Sequence, residues 1–147
     1  MSEPARSIAA WEALFRTQVA IMRRLSTDFP HDDISFNEYD VLYTVSRAGE
    51  RGLRLRDLNK NVLLTQPSIS RLVDRLASRN LVAKLGDPQD ARGTVIRLTD
   101  EGQAAFRAVA RVHGATIHRV VGDCLEPEEL DMLIHLTRKL RANLPAD

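Results

Sequence analysis

Apolar residues recur at helical spacing from the start of the chain, where Trp11, Leu14, Phe15, Met22, Leu25 and Phe29 mark a long amphipathic helix that Pro30 stops. A second helix is predicted from about Asn37 to Ala48, with Tyr39, Leu42, Tyr43 and Val45 available for burial and Gly49 as its stop. Leu53-Arg54-Leu55 alternates as a very short strand would, and a compact helix is expected around Asp57 to Val62. Thr65 is a good N-cap and Pro67 is accepted in a first turn, so another helix begins there. At about 100° per residue, Ile69, Leu72, Val73 and Leu76 fall on one side of it, and Pro67, Ser70, Arg71, Asp74, Arg75 and Ser78 on the other. One side packs and the other is free.

Beyond that helix the period changes. Asn80 tolerates the left-handed conformation that ends a helix. Val82-Ala83-Lys84-Leu85 and the β-branched Thr94-Val95-Ile96 bracket a turn-rich run from Gly86 to Gly93, which reads as a β-hairpin with a long tip. Thr99 caps the next helix, with Asp100 and Glu101 in its first turn where carboxylates suit the helix dipole. That helix carries Phe106, Val109, Ile117, Val120 and Val121, and a last one after Glu126-Pro127 shows Leu130, Leu133, Ile134, Thr137, Leu140 and Leu144. The order spells a mainly α chain with a small β-wing: a winged helix-turn-helix with additional helices at both ends.

Composition narrows the function classes. The chain has 147 residues, 44% of them hydrophobic, which fits one domain with an adequate core. No run approaches the ~18 apolar residues of a membrane span, and the amino terminus lacks the apolar run and cleavage site of a secretory signal, so a cytoplasmic location is expected. Cys124 is the only cysteine, which leaves no internal disulfide and no Cys-x-x-Cys zinc site. His31, His113, His118 and His135 are scattered, and His113 and His118 do not share a helix face, so all four are expected to be solvated or capping, with no metal and no cofactor. No glycine-rich phosphate loop, paired-carboxylate signature or nucleophile elbow appears, and Ser68 and Ser70 lack a local His partner. No enzymatic activity is expected.

Charge points to a polyanion. The formal net charge is only +1, yet from Arg47 to Arg97 eleven basic residues face five acidic ones, a net of +6, and the flanks hold ten against fifteen, a net of −5. A helix fits the DNA major groove, where Arg pairs with guanine and Gln with adenine, while hydroxyls and Lys hold phosphates. Gln66, Ser68, Ser70 and Arg71 lie in the first turns, the part that usually reaches base edges, and Arg75 sits a turn later, where phosphate is the better expectation. The plain alternative is that Arg71 and Arg75 solvate a helix face, with Asp74 as a local partner. Arg92, at the expected hairpin tip, suits a narrow A·T-rich minor groove, and Lys84 and Arg97 on the strands are phosphate candidates of lower weight. An ion pair between Asp90 and Arg92 that shapes the loop is the competing reading.

The segment from Leu53 to Gly102 resembles the winged helix-turn-helix of the multiple-antibiotic-resistance regulator (MarR) family of bacterial transcription factors. The resemblance is carried by Leu55-x-x-Leu58, Ser68-Ile69-Ser70-Arg71-Leu72-Val73-Asp74-Arg75-Leu76, Leu81-Val82, and Asp90-x-Arg92 through Leu98-Thr99-x-x-Gly102. Asn59 stands where the family usually has a small Ala, Leu63 where a Gly is frequent, and Asn80 replaces a frequent Gly. The resemblance implies one MarR-type domain over 1–147, with the winged helix-turn-helix at about 35–100 and dimerisation helices at about 5–30 and 100–145. It implies that Arg92 contacts DNA and that Asp90 helps to hold the wing. It also implies a two-fold homodimer on a pseudopalindromic operator, and a transcriptional regulator, more readily a repressor, released by a small aromatic or anionic effector. Trp11, Phe15, Tyr39, Tyr43 and His113 are the effector candidates, each also readable as core. Cys124 is expected to be a small buried hydrophobe rather than a redox switch. The alternative function is a winged-helix module for protein interaction or non-specific DNA binding.

Overall fold

The computed structural model describes residues 1–60, 62 and 66–145, with only the backbone of Gln66. Thr65, expected as a cap, Leu63 and the Gln66 side chain therefore lie outside the described residues. The element order is α1 (Glu3–Thr27), α2 (Phe36–Ser46), a 3-10 turn (Gly49–Arg51), β1 (Leu53–Arg54), α3 (Leu55–Leu58), α4 (Gln66–Ser78), β2 (Val82–Asp87), β3 (Asp90–Leu98), α5 (Asp100–Val121), a 3-10 turn (Gly122–Cys124) and α6 (Pro127–Ala142). The chain divides into two compact units. One is Phe29–Val112 and the other joins Met1–Asp28 to His113–Asp147. The boundary thus falls within α5, about twelve residues beyond the expected edge of the winged segment.

The first unit is the winged helix. Its sheet has the antiparallel order β1-β3-β2. Ile34, Val41, Leu42, Val45, Leu58, Ile69, Leu72, Val73, Leu76, Leu81, Val82 and Ile96 are all buried in one cluster. α2 starts where it does because Ser35 and Glu38 form a reciprocal capping box, the Glu38 N–H donating to Ser35 Oγ at 3.1 Å and the Ser35 N–H to Glu38 Oε1 at 3.1 Å. At the other end of the winged core, Asn80 takes φ 57° and the Leu81 N–H reaches back to the Leu76 carbonyl at 2.9 Å, closing α4 with a left-handed cap. Thr99 accepts the Gly102 N–H at 2.9 Å and so caps α5. Gly102 is required there by close approach, since a Cβ would overlap the Leu81 carbonyl.

Two boundaries differ from the pattern-based expectation. The short helix is Leu55–Leu58 rather than Asp57–Val62, because Arg54 is still extended and serves as its N-cap residue. The hairpin has no long tip: β2 and β3 run to Asp87 and Asp90, leaving only Pro88 and Gln89 as the turn. The missing length reappears inside β3, where Gly86 pairs with Thr94 and Asp87 with Asp90, so Ala91, Arg92 and Gly93 form a bulge without partners on β2.

The second unit is built from α1, the C-terminal half of α5, and α6. Asp28 caps α1, its carboxylate lying 2.9 Å from Arg24 Nε and 3.8 Å from Arg119 Nη2. Glu126 and Glu129 form a capping box at the start of α6. Among the described residues no helix is long and apolar enough to cross a membrane.

Candidate nucleic-acid interface

α4 presents the candidate polar face because its apolar face is fully used. Ile69, Leu72, Val73 and Leu76 are buried, which turns Pro67, Arg71, Asp74, Arg75 and Ser78 to solvent, with Ser68 and Ser70 half-buried at the edge. Neither Arg71 nor Arg75 has a side-chain partner among the described residues. Asp74 does, but its partner is not a neighbour on the helix: Lys84 Nζ lies 2.6 Å from Asp74 Oδ1. The register explains the contact, since Lys84 sits opposite Ile96 and therefore leaves the sheet on the face that α4 covers. Lys84 is thus engaged with α4, and the idea that Asp74 neutralises Arg71 or Arg75 has no support in this geometry.

Arg97 is placed elsewhere. Ile96 points into the core, so alternation sends Arg97 to the opposite sheet face, where its Nη1 donates to the Glu50 carbonyl at 3.2 Å. There it borders a cavity of about 550 Å³ with Glu50, Gln103 and Arg107. The structure therefore brings Lys84 to α4 and does not bring Arg97 there.

In the wing, Arg92 is exposed on the bulge rather than at the two-residue turn. Its backbone N–H donates to Asp90 Oδ1 at 3.0 Å, while its guanidinium has no acidic partner among the described residues. Asp90 thus binds the main chain of Arg92, and the loop-shaping ion pair between the two is not formed. Sequence reasoning passed over the wing's buried acid, Asp87, and the Arg54 it pairs with at 2.7 Å. A cation on β1 and an acid on the hairpin are 33 residues apart in sequence, and only the β1-β3 ladder brings them together.

The effector candidates divide between the units. Trp11 and Phe15 stack at 5.6 Å on α1 and are exposed, Trp11 at 58%. Tyr39, Tyr43 and Phe106 form a ring cluster in the winged unit, with Tyr39 against Phe106 at 5.5 Å. Burial raises the Tyr39 hydroxyl above its ordinary pKa, helped by Tyr43 and by the Asp40 carboxyl, which burial raises as well. His113 corrects the expectation of a solvated histidine. It is 4% exposed, and burial lowers its pKa. Cys124 is corrected in the other direction: it is exposed in the 3-10 turn, its thiol directed at the Val120 carbonyl at 3.4 Å. Among the described residues, no three His, Cys, Asp or Glu side chains gather as a metal site would need.

Comparison with known proteins bears on the family and the fold. Residues 32–93 match a model of the MarR family. The multiple antibiotic resistance protein MarR of Salmonella typhimurium is 26% identical over 108 residues, 74% of each chain. The MarR family transcriptional regulator Sco3205 of Streptomyces coelicolor, solved in complex with DNA, superposes with a TM-score of 0.79 at 26% identity, covering 97% of this chain and 90% of that one. The PcaV transcriptional regulator of the same organism, solved with its natural ligand, gives a TM-score of 0.65 at 29% identity over 89% of both chains.

Proposed function

We propose that the chain, whose residues 32–93 match the MarR family model and which is similar to MarR family transcriptional regulators over most of its length, is a non-enzymatic winged-helix transcriptional regulator of that family, a repressor that binds a pseudopalindromic operator as a homodimer. One observation carries the reading. Among the described residues Arg71 and Arg75 have no side-chain partner on the solvent face of α4, while the face beneath them completes a core that does not need them. A guanidinium held on a rigid helix without a protein partner is set for a base edge or a phosphate. In this proposal Gln66, Ser68, Ser70 and Arg71 address the major groove and Arg75 a phosphate. Arg92 enters the minor groove with Asp90 holding its main chain. Lys84 and Arg97 take a smaller share, for both already have protein partners.

The homodimer draws support from the second unit. Ile8, Trp11, Phe15, Met132, Ile134, Leu136 and Leu140 are exposed in the single chain, an apolar area beyond what an isolated unit normally leaves wet. A second copy buries such a face symmetrically, and two-fold symmetry then dictates an operator with half-sites about one DNA turn apart. We further propose release by a small aromatic or anionic effector, with Trp11, Phe15, Tyr39, Tyr43 and His113 as its candidate contacts. PcaV, with its natural ligand bound, is the similar protein that motivates this. Together the two units act as one cytoplasmic regulator.

The test is a gel-shift on the DNA upstream of the protein's own gene against shuffled competitor. Retention of the natural fragment at competitor excess is expected. Equal competition by shuffled DNA would instead favour a non-specific or protein-binding module.

A further inference from the structure

Arg54 and Asp87 have no part in the contacts assigned above, and we propose that they are a positioning pair for the wing, holding the β3 bulge that carries Arg92 in its DNA-contacting shape. The inference rests on the DNA contact proposed for Arg92.

By charge alone Arg54 is one more cation of the basic centre. In the fold it is committed. Its Nε lies 2.7 Å from Asp87 Oδ2, with the two side chains 30% and 3% exposed, and its Nη2 donates to Gln89 Oε1 at 3.0 Å. The other carboxylate oxygen of Asp87 accepts the Gln89 N–H at 2.9 Å. Three contacts among Arg54, Asp87 and Gln89, two of them to the buried carboxylate, therefore tie β1 to the hairpin turn. The sheet makes this possible: Arg54 and Leu85 both pair with Val95, so Arg54, Leu85 and Asp87, two residues further on, occupy the same face.

Why the wing needs such a tie follows from its register. Ala91, Arg92 and Gly93 have no partners on β2, so the ladder does not hold them. What holds them is local: the Arg92 N–H on Asp90, and Gly93 packed directly over Asp87. A Cβ at Gly93 would lie 3.0 Å from Asp87 Cβ and 3.1 Å from its Oδ2. Arg54, Asp87, Arg92 and Gly93 also border one cavity of about 210 Å³. Asp87 is thus the floor on which the bulge rests, and Arg54 fixes that floor. Removing Arg54 leaves a buried carboxylate uncompensated, which the turn relieves by carrying Asp87 to water and the bulge with it. A guanidinium already neutralised in this way has little charge left for a phosphate.

The test is the salt dependence of affinity for a duplex selected from random sequence by the wild-type protein, with a circular-dichroism melt for every variant. Arg92→Ala should flatten the log-log slope by about 2 per dimer. Asp87→Asn and Arg54→Gln should each move the slope toward that value, and added to Arg92→Ala they should change affinity less than twofold, since they act through Arg92. Arg54→Lys, which keeps the cation but loses the fork, serves if the glutamine variant fails to fold, and should fall between wild type and Arg92→Ala. A wild-type slope in Asp87→Asn would overturn the inference alone. So would a further flattening by Arg54→Gln in the Arg92→Ala background, which would make Arg54 a phosphate ligand in its own right. An unchanged slope in Arg92→Ala itself would remove both the proposed DNA role of Arg92 and this inference.

Discussion

The two units solve the same physical problem differently. The winged unit, Phe29–Val112, buries a contiguous apolar cluster drawn from α2, α3, α4 and the sheet, whereas the unit of α1 and α6 has Leu25 as its one buried large hydrophobic residue among those described. Its side chains are no less apolar: Trp11 and Leu140 are each 58% exposed. One unit is finished by its own chain, and the other has the composition of a core without its partner surface. Under the proposed function this division is useful, because a self-contained unit would read DNA while the unfinished unit would set how many copies assemble.

The division is most sharply broken in the winged core. Leu42→Ala or Leu76→Ala, both at sites with no exposure, should cost about 2–5 kcal/mol by loss of transfer energy and residual cavity, read from urea midpoints. An α6 change of the same chemistry, Leu140→Ala, should leave that midpoint much less affected at fixed dimer concentration. Placing a charge there is a different matter. Leu136→Glu with Leu140→Glu should halve the sedimentation mass. A dimer that survives both charges would place the interface elsewhere.

Next in size is the reading face. Arg71→Ala should weaken the selected duplex by about 1–3 kcal/mol and random DNA much less, since a base-edge contact carries sequence information. Equal loss on both would make Arg71 a phosphate ligand.

The smallest effect concerns His113, one of the few buried residues of the second unit. Burial lowers its pKa, so the folded state favours the neutral ring. The stabilising difference is present above the ordinary value of 6.5 and is lost as pH falls through it toward the lower folded value. Urea midpoints at pH 7.5 and 5.5 should therefore differ, and His113→Gln should narrow the gap. A gap of the same width in the variant would assign the acid sensitivity to another group.

These contrasts also mark what the chain discloses before folding. The faces of α4 were legible residue by residue, because a 3.6-residue period sorts Ile69, Leu72, Val73 and Leu76 from Arg71 and Arg75 without any tertiary information. The caps at Thr99 and Asn80 were legible for the same local reason. The bulge was not: Asp90 to Gly93 is turn-rich whether it lies in a loop or within an irregular strand, and only pairing with Gly86 and Asp87 distinguishes the two. Nor were the Lys84–Asp74 and Arg54–Asp87 pairs, which depend on strand register and helix placement together. Composition gave His113 no reason to be buried, and its place on the inner side of α5 is a tertiary fact.

The central claim is that a self-contained winged unit reads DNA while the apolar unit brings two copies together on one site. Sedimentation equilibrium of the saturated complex with the selected duplex measures this directly. The account predicts two chains of 16.5 kDa per duplex, spanning half-sites about 10 base pairs apart. A saturated complex holding a single chain per duplex, at the same affinity, would contradict it.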